Sequence, residues 1–109
     1  MDNVNKKSQF VYQYLISEYV SQECKGFYYL QLLITKNVDK NNVVGLSLNE
    51  MVKELGTDLN MSEATLFYHF KVVMRKTNQK RKENSLPEYT LRKFVTKTFI
   101  DLQNNVPSK

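Results

Sequence analysis

The chain is poor in the residues that usually mark a chemical site. It has one cysteine, one histidine, no tryptophan, three glycines and two prolines. A lone Cys24 excludes an internal disulfide framework and a multi-cysteine zinc site. A metal centre or a Ser-His-Asp triad would have to be built around His69 alone, and no carboxylates stand at acid/base or ligand spacing. No enzyme, metal or cofactor is therefore expected, and no small-molecule ligand. No apolar run approaches the roughly 20 residues of a membrane span. The opening residues 1–7 lead into a mixed polar pattern, not a signal-peptide block. The expectation is a cytoplasmic protein that does not engage a membrane.

What is present is an ordinary globular composition: 109 residues, 41% hydrophobic and 25% charged. One domain over residues 1–109 is expected. The net charge is +5, and the excess is local. Residues 71–97 carry Lys71, Arg75, Lys76, Lys80, Arg81, Lys82, Arg92, Lys93 and Lys97 against only Glu83 and Glu88, a net of +7 that leaves −2 for the other 82 residues. A basic stretch of this kind is the footprint of a polyanion binder, or else a solvated lysine-rich surface.

The hydrophobic pattern is helical nearly throughout. Phe10, Val11, Tyr14 and Leu15 predict a first helix over about 5–22, and residues 22–24 a short link. The apolar run Lys25 to Ile34 predicts a buried central helix with Phe27, Leu30 and Ile34 on one face. Residues 37–46 read as a loop with at most one helical turn. Ser47-Leu48-Asn49-Glu50 is a capping box, in which Ser47 and Glu50 satisfy each other's backbone N–H. Leu48, Met51, Val52 and Leu55 then follow at i, i+3, i+4 and i+7, and Gly56 stands where a helix stop favours positive φ. Residues 57–60 read as a connector. Asn60 or Ser62 can cap the next helix, whose apolar face is Leu66, Phe67, Phe70, Val73 and Met74. Residues 76–86 read as a basic loop or frayed end. Pro87 or Thr90 opens a last helix with an inner stripe of Leu91, Phe94, Val95, Thr98, Phe99 and Leu102, and residues 106–109 should fray. The β-branched pairs at 43–44 and 72–73 leave room for a hairpin. The fold class expected is all-α: a compact bundle of five or six helices containing a helix-turn-helix.

The helix-turn-helix unit is expected at about 47–76, two short helices joined by a turn. Its second helix would dock in the major groove of double-stranded DNA. The side opposite the apolar face carries Ala64, Thr65, Tyr68, Lys71, Val72 and Arg75. Ser62, Thr65, Tyr68, Lys71, Val72 and Arg75 are the candidates for the groove; Lys76, Lys80, Arg81, Lys82, Arg92 and Lys93 for phosphates. His69, at the edge of the apolar face, reads as a partly buried or phosphate-touching imidazole. The Gly56–Met61 connector exceeds the usual three or four residues. Either the turn is enlarged, or the second helix starts early at Asp58.

Lys25-Gly26-Phe27-Tyr28-Tyr29-Leu30 through Ile34 resembles the Lys-Gly-Tyr-x-Tyr-Leu helix in the C-terminal DNA-binding domain of the sporulation-initiation response regulator of Gram-positive bacteria. The likeness continues through the short helix at Met51–Leu55, a Ser/Thr-started recognition helix, a basic loop and a final helix with Phe94. It implies a six-helix domain that binds promoter DNA, with two copies able to sit in tandem. At the family's Arg and Glu reader positions this chain has Thr65, Phe67, Tyr68 and Lys71, and only Lys71 keeps a charge. No receiver domain is expected with these helices, and phosphorylation control is not expected to transfer. Residues Ala64 to Lys71 are also similar to the recognition helix of tetracycline-repressor-type regulators, which often end in Tyr-x-His-Phe-Lys. That likeness implies phosphate contacts for Tyr68 and His69.

The function expected is a small bacterial transcriptional regulator, at home on a plasmid or other mobile element, bound to duplex DNA as a homodimer or as tandem copies. The rival expectation is a protein-interaction module of the same fold that has lost base readout.

Overall fold

The computed structural model describes residues 2–38 and 47–105, with side chains over 6–38 and 47–104. It is all-α, with five helices and no strand among the described residues: α1 (Asp2–Ser17), α2 (Lys25–Asn37), α3 (Leu48–Leu59), α4 (Glu63–Glu83) and α5 (Leu91–Asn105). The expected loop at 39–46, with the pair Val43-Val44, and the expected fraying at 106–109 lie outside the described residues. Val72 and Val73, the other candidate hairpin pair, lie inside α4.

Helix α2 is the hub, packed against α1, α3 and α4. It buries Phe27, Leu30, Leu33 and Ile34, while Tyr28 on its other face is 56% exposed. Each of those four apolar side chains contributes about 1.5–3 kcal/mol relative to exposure. Val11 and Leu15 from α1, Val52 and Leu55 from α3, Leu66, Phe70 and Val73 from α4, and Phe94, Val95, Phe99 and Leu102 from α5 complete one continuous core. The radius of gyration, 13.3 Å, is that of a compact domain.

The helix starts follow the sequence closely. Ser47 and Glu50 form the capping box, with the Glu50 N–H donating to Ser47 Oγ at 3.0 Å. Ser62 caps α4 by accepting from the Thr65 N–H at 3.1 Å. Thr90 caps α5 by accepting from the Lys93 N–H at 3.2 Å.

The helix ends do not follow it. Helix α1 stops at Ser17, not near 22; α3 runs through Gly56 to Leu59; α4 continues to Glu83, through most of the segment expected as a basic loop or frayed end. One device terminates all three. At each end a non-glycine residue takes a left-handed φ: Tyr19 (70°), Asn60 (56°) and Ser85 (60°). Around each lies the paired 6→1 and 5→2 hydrogen-bond pattern of a Schellman motif. The N–H groups of Val20 and Tyr19 donate to Leu15 and Ile16, those of Met61 and Asn60 to Gly56 and Thr57, and those of Leu86 and Ser85 to Arg81 and Lys82.

Gly56 is helical and serves packing instead of termination. A Cβ there would come within 2.6 Å of the Met61 carbonyl oxygen. Its bare backbone lets the chain fold back after Asn60. The connector between α3 and α4 is thus Asn60-Met61-Ser62, three residues long. The turn is not enlarged, and α4 does not begin at Asp58.

Candidate nucleic-acid interface

Helix α4 presents the face that the sequence singled out. Leu66, Phe70, Val73, Met74, Thr77 and Arg81 are buried along one side. At about 100° per residue, Tyr68, Val72, Arg75 and Gln79 fall on the opposite side, with Thr65, Lys71 and Lys82 beside them. Thr65, Tyr68, Lys71, Arg75 and Lys82 are exposed and Val72 is half-buried. Lys76 and Lys80 are exposed on the edge that also carries His69. Ser62, Thr65, Tyr68, His69, Lys71, Val72, Arg75, Lys76, Lys80 and Lys82 therefore share one element. The acids of α4, Glu63 and Glu83, stand at its two ends, so its middle five turns carry only positive charge.

The start of α4 is braced internally. Ser62 Oγ donates to Thr65 Oγ1 at 2.8 Å while accepting from the Thr65 N–H. Thr65 Oγ1 is an acceptor there and keeps its own O–H to donate outward. Arg92 and Lys93 are exposed, but they belong to the first turn of α5, a different helix.

Arg81 does not belong to the surface at all. It is 5% exposed. Its Nε donates to the Pro87 carbonyl at 2.7 Å, its Nη1 pairs with Glu18 Oε1 at 3.1 Å, and its guanidinium lies 4.7 Å from the Tyr89 ring centre. The correction has a geometric cause. With the helix continuing through 76–83, Arg81 falls in register with Phe70, Met74 and Thr77, on the buried side.

Arg81 is one arm of a charge cluster that the sequence did not reveal. Lys97 Nζ donates to Asp101 Oδ2 at 2.8 Å, to Glu18 Oε1 at 3.2 Å and to the Tyr14 hydroxyl at 3.1 Å. Tyr14 in turn donates to Asp101 Oδ2 at 2.6 Å. Burial, with help from the Asp101 carboxylate, pushes the Tyr14 hydroxyl up to about 12. Burial works against the Lys97 ammonium, but the bonds to Asp101, Tyr14 and Glu18 outweigh it and hold its pKa above the usual lysine value. The Lys97 and Tyr14 hydrogen bonds hold the Asp101 carboxyl below the usual carboxylate range. Only the i,i+4 pair Lys97–Asp101 is local; the other paired side chains are 63 to 87 residues apart. Two of the nine basic residues of 71–97, Arg81 and Lys97, are thereby spent on the fold, which leaves α4 as the main basic surface.

A second feature escaped the sequence. Four aromatic rings run in series from α2 to α4: Tyr28 to Tyr29 at 5.7 Å between centres, Tyr29 to His69 at 5.3 Å, and His69 to Tyr68 at 5.5 Å. Gly26 makes this contact feasible. A Cβ at Gly26 would lie 2.4 Å from the His69 carbonyl oxygen and 2.8 Å from Val73 Cβ. The glycine before an aromatic run was the available signal, since a glycine inside a helix often marks close backbone approach.

Among the described residues no cluster of His, Cys, Asp or Glu could hold a metal ion, and no helix is long and apolar enough to cross a membrane. Compared with known proteins, the chain matches no family model, no curated protein and no solved structure.

Proposed function

We propose that this protein binds double-stranded DNA as a sequence-specific transcriptional regulator, with α3, the turn and α4 acting as a helix-turn-helix and α4 entering the major groove. The observation that carries the reading is the exposed side of α4, where Thr65, Tyr68, Lys71, Val72 and Arg75 are ringed by Lys76, Lys80 and Lys82. Small, apolar and hydrogen-bonding groups suit base edges and thymine methyls, and the lysines suit phosphates. The three-residue turn Asn60-Met61-Ser62 supports the motif, which favours three or four residues. The likeness to the sporulation-initiation regulator's DNA-binding domain supports the same assignment, and with it a bacterial, cytoplasmic setting. One helix reads only a few base pairs, so two copies, paired or in tandem, would give a usable site.

The test is fluorescence anisotropy on a random-sequence duplex titrated with salt, followed by selection of a preferred site from a random library. Submicromolar binding at low salt, falling with a slope of about −0.9 per phosphate contacted, is the expected result. Absence of binding at low salt would defeat the reading.

A protein-interaction module is the second reading. Tyr68, 63% exposed beside the half-buried Val72, favours it, as does the loss of the related family's Arg and Glu readers. A partner held by that apolar patch would bind with little salt dependence.

A further inference from the structure

The ring series from α2 to α4 places a second element beside the proposed DNA-facing helix. Gly26 holds the first turn of α2 against α4 at His69 and Val73; Lys25 is its chain neighbour in that turn, and Tyr28 is linked to His69 through the Tyr29 ring. The two ends of the series, Tyr28 and Tyr68, are 56% and 63% exposed, the highest values among the large hydrophobic side chains of the described residues. Core packing explains neither of them. The rings meet at interplanar angles of 59°, 52° and 70°. Tilted rings block one another's faces and offer no common platform on which bases could stack in sequence. The two exposed tyrosines, Tyr28 and Tyr68, each carry a phenol hydroxyl, which can donate a hydrogen bond. The charges around them are mainly positive: Lys25 on α2, and Lys71, Arg75 and Lys76 on α4, against Glu23 on the α1–α2 link.

We infer that Lys25 and Tyr28 of α2 extend the DNA interface beyond α4 and hold the sugar-phosphate backbone that borders the groove. This inference rests on the duplex-binding reading above. Phosphate oxygens are acceptors only, so they match a row of hydroxyl, imidazole and ammonium donors. Contacts of this kind orient a protein on the duplex without reading its sequence. Tyr28 and Lys25 would thus set the angle at which α4 lies in the groove.

The experiment compares wild type with Lys25→Ala, Tyr28→Phe and Arg75→Ala on one random-sequence duplex and on single-stranded oligo-dT. Folding of each variant is checked by circular dichroism. Tyr28→Phe keeps the ring and removes only the hydroxyl. If the inference holds, Tyr28→Phe raises Kd for the duplex about 3- to 10-fold, the range of one hydrogen bond. Lys25→Ala flattens the salt slope by about one phosphate's worth. Should Arg75→Ala weaken binding while Lys25→Ala and Tyr28→Phe match wild type in affinity and slope, the α2 contact is wrong and the α4 reading survives. Tighter binding to oligo-dT than to duplex, unchanged in Tyr28→Phe, would overturn backbone contact in favour of base stacking. A wild type that binds neither would overturn both readings.

Discussion

Individual side chains on α4 divide by what they can touch. Lys71 and Arg75 flank the centre of the exposed face, and Lys80 lies on its edge near the C-terminal end. On the DNA-binding reading, Lys71→Ala or Arg75→Ala weakens binding to a selected site by about 1–3 kcal/mol where the side chain meets a base. Lys80→Ala weakens all sequences alike. Anisotropy on selected and random duplexes separates the two patterns, and identical affinities in all three variants would sink the docking model. Arg81 belongs to a different class. With its side chain 6% exposed and paired to Glu18, Arg81→Ala should cost about 3 kcal/mol, the low end for breaking a buried pair, because Lys97 still partners Glu18. Urea denaturation reads that loss. A stability within 0.5 kcal/mol of wild type, to take a rough surface-substitution margin, would return Arg81 to the surface.

Helices α3, α4 and α5 begin on side-chain caps, whereas α1, α3 and α4 end on backbone geometry, and the two devices differ in legibility. Ser47, Ser62 and Thr90 are cap residues that a reader can find because their hydroxyls do the bonding. The ends are Schellman turns centred on Tyr19, Asn60 and Ser85, where only Asn has an intrinsic tolerance for positive φ. Glycine is the usual stop signal, so the sequence predicts the end of α3 at Gly56, one turn before the observed Leu59, and a longer connector. Ser85→Gly should relieve the left-handed strain and stabilise the protein by about 0.5–1 kcal/mol, seen as a rise of a few degrees in Tm. A fall in Tm would mean that the Ser85 side chain makes a contact worth more than the strain.

Across the whole molecule the cluster of Tyr14, Glu18, Arg81, Lys97 and Asp101 ties α1, α4 and α5 together, and it makes stability depend on pH at both extremes. Tyr14 has a folded pKa of about 12 against an ordinary 10.0. The folded state holds that proton more tightly, so its contribution is whole below pH 10 and is lost as pH rises toward 12. The raised Lys97 acts in the same direction. Asp101 is lowered from 3.8, so its contribution is present above that value and disappears as pH falls below it. Denaturation midpoints measured from pH 8 to 12 should fall above pH 10 in wild type and fall less in Tyr14→Phe. Parallel curves for the two proteins would remove Tyr14 from the linkage.

Local rules were enough to read the all-α class, the buried stripes, the Ser47 capping box and the exposure of Thr65, Tyr68, Lys71 and Arg75, because each depends on spacing within one turn or two. Other features needed the fold. Arg81, on the buried side of α4, is partnered there by Glu18, 63 residues away, with the Pro87 carbonyl and the Tyr89 ring. Tyr29, the neighbour of the Tyr28 ring, meets His69 of α4 because Gly26 lets two backbones touch there. Periodicity reports which side of a helix avoids water. It carries no information about which distant helix will cover that side, and in this protein those long-range contacts decide which cations remain at the surface to meet a ligand.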